Sequence, residues 1–344
     1  MKFNYSEIKS PGNNRVFIIA ELSANHNQSF DIAKKTVLAA KESGADAIKL
    51  QTYTADTLTL DCDNDYFKIS GGTLWDGKTL YQLYKEAYTP WEWHEELKNY
   101  AEELGLVFFS TPFDNTAVDF LEKLNVPLYK VASFEITDIA LIEYIASKKK
   151  PVIISTGIAT LSEINEALEA CRRSGNNEIA LLKCTSAYPA PPEEANLKTI
   201  PNMAETFGVA AGLSDHTVGD AVSIAAVALG AKIIEKHFIL DRKMGGPDSE
   251  FSMEPSEFSK MVDSIRIVEK ALGGVSYELT GKTIKNRRFS RSLFVVEDIK
   301  AGELFSAENI RSIRPGNGIS PKFLKQFIGK KCDRDIKKGT PLCW

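Results

Sequence analysis

The chain has 344 residues, of which 43% are hydrophobic and 26% charged, and its formal net charge is −4. This length and composition are typical of a globular protein with two domains. The small negative charge excludes the basic surface that nucleic-acid-binding proteins present. Because the longest apolar runs are only of strand length, we expect no membrane among its partners either.

The cysteines and the first ten residues indicate the cellular compartment in which the protein is expected. The five cysteines are odd in number and show no CxxC pairing, which is typical of reduced thiols and not of a disulfide framework or a zinc site. The first ten residues, MKFNYSEIKS, lack the apolar core of a signal peptide. We therefore expect a cytoplasmic protein.

Eight apolar segments alternate with helical patterns from residue 16 onward. The first strand is predicted over 16–20 and the last over 232–235, and a helix over 255–272 ends the series. Eight strands that are each followed by a helix predict an α/β fold, the closed (β/α)₈ or TIM barrel. An open doubly wound sheet would more often carry a glycine fingerprint after its first strand, where this sequence has ELSANH. Residues 1–15 are predicted to form a short hairpin before the barrel.

Two histidines follow neighbouring predicted strands. Residues 212–237, GLSDHTVGDAVSIAAVALGAKIIEKH, have the pattern of a strand, a turn, a helix and a second strand. Such a crossover brings both strand carboxyl ends to one edge of a parallel sheet, so His216 and His237 are expected side by side. Two neutral imidazoles at that spacing can hold a divalent metal. The alternative is that each histidine only caps a strand or bonds a backbone carbonyl.

Nearly every predicted strand ends in a polar or ionisable side chain, at the end where barrel enzymes carry their active sites. These side chains are Glu21, Lys49, Gln51, Ser110, Thr111, Lys130, Ser133, Glu135, Ser155, Thr156, Thr185, Ser186, Ser214, His216 and His237. Lys49 and Lys130 interrupt apolar runs, which is costly unless the charge is paired or used. The alternative is that both lysines extend to the rim of the barrel. Lys236 is a third candidate cation at this mouth.

The types of side chain at the predicted barrel mouth indicate which substrates could bind and react there. Lysines with hydroxyls and helix N-termini form a phosphate or carboxylate site. A metal held by histidines polarises a carbonyl oxygen, and Glu21 or Glu135 could position a water or a sugar hydroxyl. An anion site beside a carbonyl-activating metal indicates the joining of an anionic phospho-compound to an aldehyde.

Two regions lie outside the barrel pattern. Residues 52–89 are longer than a barrel connection requires, which is typical of a lid or binding loop. We expect the barrel domain to cover 1–274, a linker 275–288 and a small second domain 289–344. The second domain repeats DIKAGELF as DIKKGTPL, which predicts a compact β-rich fold with pseudo-twofold symmetry. Its RPGNG turn would direct Arg314 outward.

Ten segments in order resemble the sialic acid synthase family, and together they span practically the whole chain. They are ELSANH, DAIKLQTYT, STPFD, YKVASFE, PVIISTGIAT, LKCTSAYP, GLSDHT, ALGAKIIEKHF, GPDSEFS and RPGNG. The resemblance implies a TIM barrel followed by a C-terminal antifreeze-like (SAF) domain. It also implies a transferase that condenses phosphoenolpyruvate with an N-acylated amino sugar and water, giving a nine-carbon sugar acid and phosphate.

Within that family, three segments are similar to the pseudaminic acid branch: ELSANH, YKVASFE and the aromatic segment GGTLWDGKTLYQLYKEAYTPWEWH. That branch implies 2,4-diacetamido-2,4,6-trideoxy-L-altrose as the sugar. Residues 245–252, GGPDSEFS, are closer to the sialic type, so an N-acetylneuraminate or legionaminate synthase remains the alternative.

The resemblance implies a role for each matching position. His216 and His237 match the metal ligands, with Mn²⁺ expected and Mg²⁺ or Co²⁺ as alternatives, and Glu21 matches the carboxylate that handles water. The implied phosphoenolpyruvate contacts are Lys49, Thr111, Lys130, Ser133, Ser155 and Ser214. Phe113, Glu135, Tyr188 and Asp248 match substrate-side positions, and Ser186 stands where sialic-type members carry Asn, as expected for a different sugar. Gln51 is also expected to bind substrate. Arg314 matches an arginine that one subunit supplies to its partner's site, which implies a domain-swapped homodimer.

Three other readings of the same residues stay open. A Schiff-base aldolase would use Lys130 or Lys49 as the amine nucleophile and would need no metal. A metal-dependent hydrolase would usually need more ligands than two histidines supply. A sugar-binding protein without catalysis would leave the lysines at the barrel mouth unexplained.

Overall fold

The structure is a computed structural model, and it describes residues 3–10, 15–70, 72 and 75–344. The chain divides into two compact units, Met1–Gly273 and Gly274–Trp344. Within the described residues, no helix has the length and apolar character that a membrane crossing requires.

The first unit is a closed barrel of eight parallel strands, in which β8 pairs with β1. The strands are β1 (Phe17–Glu21), β2 (Ala47–Thr52), β3 (Val107–Pro112), β4 (Tyr129–Val131), β5 (Val152–Ser155), β6 (Ile179–Cys184), β7 (Ala210–Asp215) and β8 (Ile233–His237). This arrangement confirms the predicted (β/α)₈ fold. The strands are short and mostly buried on both faces, as expected for a parallel sheet that helices cover.

Helices surround the barrel and also occur in its loops and in the second unit. They are α1 (Tyr5–Lys9), α2 (Phe30–Glu42), α3 (Ala55–Leu58), α4 (Leu80–Ala87), α5 (His94–Glu103), α6 (Asn115–Lys123), α7 (Ile139–Ser147), α8 (Leu161–Arg173), α9 (Thr199–Phe207), α10 (Ala221–Ala228), α11 (Pro255–Leu272), α12 (Gly281–Asn286) and α13 (Leu324–Phe327). Helix α8 illustrates their construction. A capping box of Thr160 and Glu163 starts it, and Ile164, Leu168 and Cys171 bury one face.

The barrel interior is closed at its amino end by α1. Asn4 caps this helix, and Tyr5 and Ile8, three residues apart, pack into the interior cluster. The Tyr5 hydroxyl donates a hydrogen bond of 2.6 Å to the Ile179 carbonyl. The predicted hairpin over 1–15 is therefore wrong, because this segment forms a short capped helix that buries its apolar side chains in the barrel. The predicted turn of that hairpin, 11–14, lies outside the described residues.

The strand register decides which side chains reach the barrel mouth. Residues alternate between the interior and the helix layer, so Phe17, Ile19 and Glu21 share the interior face. Strands β7 and β8 approach very closely, since a Cβ on Gly212 would lie 2.3 Å from the Ile233 carbonyl oxygen. A glycine is required there for the two strands to pair.

The second unit contains the antiparallel pair β9 (Ser292–Val295) and β10 (Ile310–Ile313). Its repeated segments pair with each other: the backbones of Ile299 and Ile336 exchange hydrogen bonds of 2.9 and 2.8 Å. Reciprocal ion pairs flank them, Lys300 with Asp335 at 2.8 Å and Lys337 with Asp298 at 2.6 Å. The helix α12 lies within the segment predicted as a linker.

Candidate active site

A cavity opens at the carboxyl ends of the barrel strands. Most of the predicted site residues line it: Glu21, Lys49, Gln51, Thr111, Phe113, Lys130, Ser133, Glu135, Ser155, Tyr188, Ser214, His216, His237 and Asp248. Among the residues predicted to bind substrate, Ser186 and Arg314 are not in this lining, and the strand-end candidates Ser110, Thr156 and Thr185 are not in it either. Ser186 lies just behind it, with its Oγ 2.7 Å from Ser133 Oγ, and Arg314 is exposed in the second unit.

A buried carboxylate that the sequence analysis missed, Glu235, joins the two lysines of the cavity. Its Oε1 lies 3.2 Å from Lys49 Nζ and 3.8 Å from Lys130 Nζ, and it accepts a hydrogen bond of 3.0 Å from Ser214 Oγ. Lys49 Nζ also lies 2.9 Å from Glu21 Oε1. All of these charged side chains are buried, so the pairing of opposite charges is what makes their burial tolerable.

The two lysines differ in their electrostatic environment. Burial alone would lower the pKa of Lys49, but Glu21 and Glu235 raise it above its usual value. For Lys130, burial dominates over the attraction of Glu235 and lowers the pKa. Lys130 Nζ donates to Ser155 Oγ at 2.6 Å and to the Val131 carbonyl at 3.0 Å. The attraction of Glu235 compensates only part of the cost of burying a charged Lys130. An anion that enters the cavity would therefore stabilise the charged form of this lysine.

Several buried polar atoms of the cavity make no hydrogen bond to any described residue. They include Thr111 Oγ1, Glu235 Oε2, Glu135 Oε2 and His237 Nδ1. Each unpaired buried group costs about 1–3 kcal/mol, and polar groups left in this state mark places where a ligand or water binds. The cavity is thus built for a polar occupant.

The two histidine rings lie edge to face, with their centroids 5.3 Å apart. His216 Nδ1 lies 3.0 Å from the Thr185 carbonyl oxygen; as donor to that oxygen, it leaves Nε2 as the nitrogen with a free lone pair. Burial lowers the pKa of His237 and favours its neutral, metal-binding form. Burial acts in the same direction on His216, but Cys184 and the Thr185 carbonyl raise the pKa of that ring above its usual value. The described residues contain no group of three or more potential ligands for a metal, so two imidazoles are the protein donors that this site offers. They fit a divalent cation that retains other positions for oxygen ligands.

Glu21 lies between the histidines and the lysines. Its Oε1 accepts a hydrogen bond of 2.9 Å from Gln51 Nε2, and its Oε2 is 3.4 Å from His237 Nε2. Burial alone would raise the pKa of Glu21, but Lys49, His237 and these hydrogen bonds hold it well below its usual range. Glu21 is therefore an ionised carboxylate within a largely buried site.

The candidate cation Lys236 is not at the barrel mouth, and its placement there is wrong. Glu235 and His237 line the cavity, so the alternation of side chains turns Lys236 to the outer face of β8. There its Nζ donates to Asp215 Oδ2 at 2.8 Å and to the Thr217 carbonyl at 2.5 Å. This ion pair lies on the opposite face of the sheet from the two histidines.

Residues 52–89 contribute side chains to the cavity, as the binding-loop prediction requires. Tyr53, Leu58, Trp75, Leu83, Tyr84 and Ala87 all line it. Trp75 Nε1 donates a hydrogen bond of 3.0 Å to the Pro247 carbonyl, and its ring lies 5.8 Å from that of Tyr188. Residues 71, 73 and 74 of this segment are outside the described part of the chain.

Known proteins resemble this chain over nearly its whole length. The NeuB family model matches residues 36–277 and the SAF domain model matches residues 290–344. A pseudaminic acid synthase of Helicobacter pylori is 50% identical over 94% of this chain and 96% of its own. An N,N'-diacetyllegionaminic acid synthase of Legionella pneumophila is 38% identical over 95% of this chain and 93% of its own.

A solved structure is similar as well. The N-acetylneuraminic acid synthetase of Leptospira borgpetersenii, crystallised with citrate, superposes with a TM-score of 0.71 at 32% identity. The match covers 80% of this chain and 91% of that one.

Proposed function

The chain belongs to the NeuB family, and we propose that it acts as a pseudaminic acid synthase. The reaction joins phosphoenolpyruvate, 2,4-diacetamido-2,4,6-trideoxy-L-altrose and water to give pseudaminic acid and phosphate. The observation that carries this choice is the 50% identity to a pseudaminic acid synthase, against 38% to a diacetyllegionaminic acid synthase. N-Acetylneuraminate or legionaminate synthesis is the alternative within the family.

Phosphoenolpyruvate would bind among the lysines and hydroxyls at the centre of the cavity. Lys49 and Lys130 supply the positive charge, and Thr111 supplies a hydroxyl that has no partner among the described residues. Ser133, Ser155 and Ser214 line the same region. Charge-assisted hydrogen bonds of this kind suit both the phosphate and the carboxylate of the substrate.

We infer that His216 and His237 hold a divalent cation, with Mn²⁺ as the ion expected and Mg²⁺ or Co²⁺ as alternatives. When bound, such an ion would polarise the carbonyl oxygen of the sugar aldehyde. Two observations support this assignment. The Thr185 carbonyl fixes Nδ1 of His216 as a donor and so leaves its Nε2 available, and Nδ1 of His237 makes no hydrogen bond to any described residue, although Asp248 Oδ2 lies 3.9 Å from it.

The reaction then requires a carbon–carbon bond and the loss of phosphate. C3 of phosphoenolpyruvate attacks the aldehyde carbon, water adds at C2, and phosphate leaves with cleavage of the bond between C2 and oxygen. Glu21, ionised and fixed by Lys49 and Gln51, would orient the attacking water. The proton that this water loses is balanced by the one that the aldehyde oxygen gains as it becomes a hydroxyl. Gln51, Phe113, Glu135, Ser186, Tyr188 and Asp248 would bind or shape the sugar end.

We further propose a domain-swapped homodimer in the cytoplasm, with Arg314 supplied in trans. Arg314 is exposed and precedes a cis proline in the SAF unit, and it has no ion pair or hydrogen-bond partner within the described residues. A guanidinium fork that is free to bind suits a carboxylate or an acetamido oxygen. The five free cysteines agree with a reducing compartment.

The lowered pKa of Lys130 would also suit the amine nucleophile of a Schiff-base aldolase. A single assay separates the two reactions: phosphate released from phosphoenolpyruvate in the presence of the diacetamido sugar. The synthase predicts stoichiometric phosphate and a nine-carbon acid by mass spectrometry. Absence of phosphate, with a covalent adduct trapped by borohydride, would support the aldolase instead.

A further inference from the structure

Ser23 lies in the turn that follows β1, and its buried hydroxyl connects two parts of the site. This hydroxyl accepts a hydrogen bond of 2.9 Å from Gln51 Nε2, which also donates to Glu21 Oε1. The same hydroxyl donates to Asp248 Oδ2. Because a serine hydroxyl has a single proton, that proton is committed to Asp248. A hydrogen-bonded chain therefore runs from Glu21 through Gln51 and Ser23 to Asp248.

The backbone of Ser23 is strained. Its φ is 47°, in the left-handed region that is unfavourable for a residue with a Cβ. A glycine would adopt this φ without strain. What serine adds to glycine at this position is the hydroxyl, so the hydrogen bonds of that hydroxyl offset the strain. Strain that the surroundings hold in place in this way is typical of functional sites.

Asp248 lies in the irregular connection between β8 and α11, two residues after Gly246, so no strand or helix fixes its carboxylate. Its Oδ2 accepts the hydrogen bond from Ser23 Oγ and a longer one, 3.4 Å, from the Ala24 amide. Both donors belong to the turn after β1. The carboxylate is thus held from the opposite side of the β1–β8 seam, and its second oxygen, Oδ1, can accept a hydrogen bond from a ligand.

We propose that Ser23 is a positioning residue, which holds the Asp248 carboxylate in the orientation that binds the sugar. This inference rests on the proposed function, in which Asp248 belongs to the sugar end of the cavity. Without the hydroxyl, Asp248 would keep the longer hydrogen bond from Ala24 and would be free to turn toward His237 Nδ1, 3.9 Å from its Oδ2. The sugar would then have to order this side chain on binding, which weakens affinity.

The experiment uses two variants that both lose the hydroxyl but differ in backbone strain. Ser23→Gly relieves the strain, whereas Ser23→Ala retains it. Asn125→Gly is the matched control, because Asn125 also has a positive φ, 53°, but is exposed in the turn before β4 and does not line the cavity. Thermal unfolding checks that each variant is folded, and steady-state kinetics of phosphate release give KM for each substrate.

Both Ser23 variants should raise KM for the diacetamido sugar by roughly tenfold or more, the effect of losing a hydrogen bond to a charged group. KM for phosphoenolpyruvate should not change, and the control should keep both wild-type values. Adding Ser23→Gly to Asp248→Ala should cause no further loss, since the hydroxyl acts through that carboxylate. Wild-type kinetics in Ser23→Gly would overturn the proposal, because the hydroxyl would then be dispensable.

Crystal structures of wild type and Ser23→Gly test the positioning without turnover. The Asp248 carboxylate should change its orientation or lose its order in the variant, and an unchanged orientation would overturn the proposal. If the wild type releases no phosphate with the diacetamido sugar, the proposed function fails. The structural comparison then still decides whether Ser23 positions Asp248.

Discussion

Asp215 and Lys236 form a buried ion pair, with 2.8 Å between Oδ2 and Nζ, on the outer face of the two strands that carry the histidines. Asp215 Oδ2 also accepts a hydrogen bond from Ser223 of α10, and its Oδ1 accepts two from Thr217. Because these bonds fix the backbone on both sides of His216, the network orients an imidazole that it does not touch. Two apolar side chains in place of Asp215 and Lys236 could be as stable. They could not, however, accept the hydrogen bonds from the Thr217 amide, the Thr217 hydroxyl and the Ser223 hydroxyl.

Removing one partner of this pair should destabilise the barrel strongly. Lys236→Met leaves the Asp215 carboxylate buried without its counter-charge, which costs about 3–5 kcal/mol of unfolding free energy. Urea denaturation measures the change. The double variant Asp215→Asn/Lys236→Met removes both charges and should recover part of the loss; a single variant as stable as wild type would contradict this account.

Loss of either cavity histidine should abolish metal binding and turnover together. His216→Ala and His237→Ala each remove one of two protein ligands, so the affinity for Mn²⁺, titrated by electron paramagnetic resonance, should fall by well over tenfold. The control is His26→Asn, since His26 is buried but does not line the cavity. Wild-type turnover in either alanine variant, or in fully chelated enzyme, would refute the metal assignment.

Glu135 should make stability depend on pH. Burial raises the pKa of its carboxyl from 4.5 to about 7, despite the opposing charge of Lys130 and with a small addition from Asp138. The folded state therefore holds this proton more tightly than the unfolded chain, and stability from this group is lost as pH rises from 4.5 to about 7.

The measurement compares wild type with Glu135→Gln, which stays neutral at every pH. The unfolding free energy of wild type should fall relative to the variant between pH 5 and pH 8, by about 3 kcal/mol at most. Tyr84 also interacts with Glu135, so Tyr84→Phe serves as a second reference. Parallel stability curves for wild type and Glu135→Gln would show that the carboxyl titrates normally.

Mixing two inactive variants tests whether Arg314 acts in trans. Arg314→Ala chains keep an intact barrel, and His237→Ala chains keep an intact arginine. Random dimerisation makes half of the dimers mixed, each with one complete site, so activity should recover to roughly a quarter of wild type. Activity that stays at the level of the separate variants would mean that Arg314 serves its own barrel or none.

The sequence predicted the barrel and most of the cavity lining because both follow from periodicity. Strands alternating with helices indicate the fold, and strand ends indicate the site. The sequence alone could not show which of the adjacent residues Glu235 and Lys236 faces the barrel interior, because that depends on the register of β8. Hence Lys236 was placed at the mouth and Glu235 was missed.

The way in which residues 52–89 line the cavity could not be predicted, for another reason. Residues 52–89 have an aromatic composition that indicates a binding loop, but their path depends on tertiary contacts such as that of Gln28 with the end of α4. No periodic pattern in the sequence encodes such a contact. The same limit applies to α1, which is helical because the barrel interior accepts Tyr5 and Ile8.

The proposed activity is tested most directly by kcat/KM for phosphate release with two sugars, 2,4-diacetamido-2,4,6-trideoxy-L-altrose and N-acetylmannosamine. A cavity that pairs its polar groups with the diacetamido sugar leaves some of them unpaired with the other, at about 1–3 kcal/mol for each. We therefore expect a preference of more than tenfold for the diacetamido sugar. An equal or higher kcat/KM with N-acetylmannosamine would contradict the assignment.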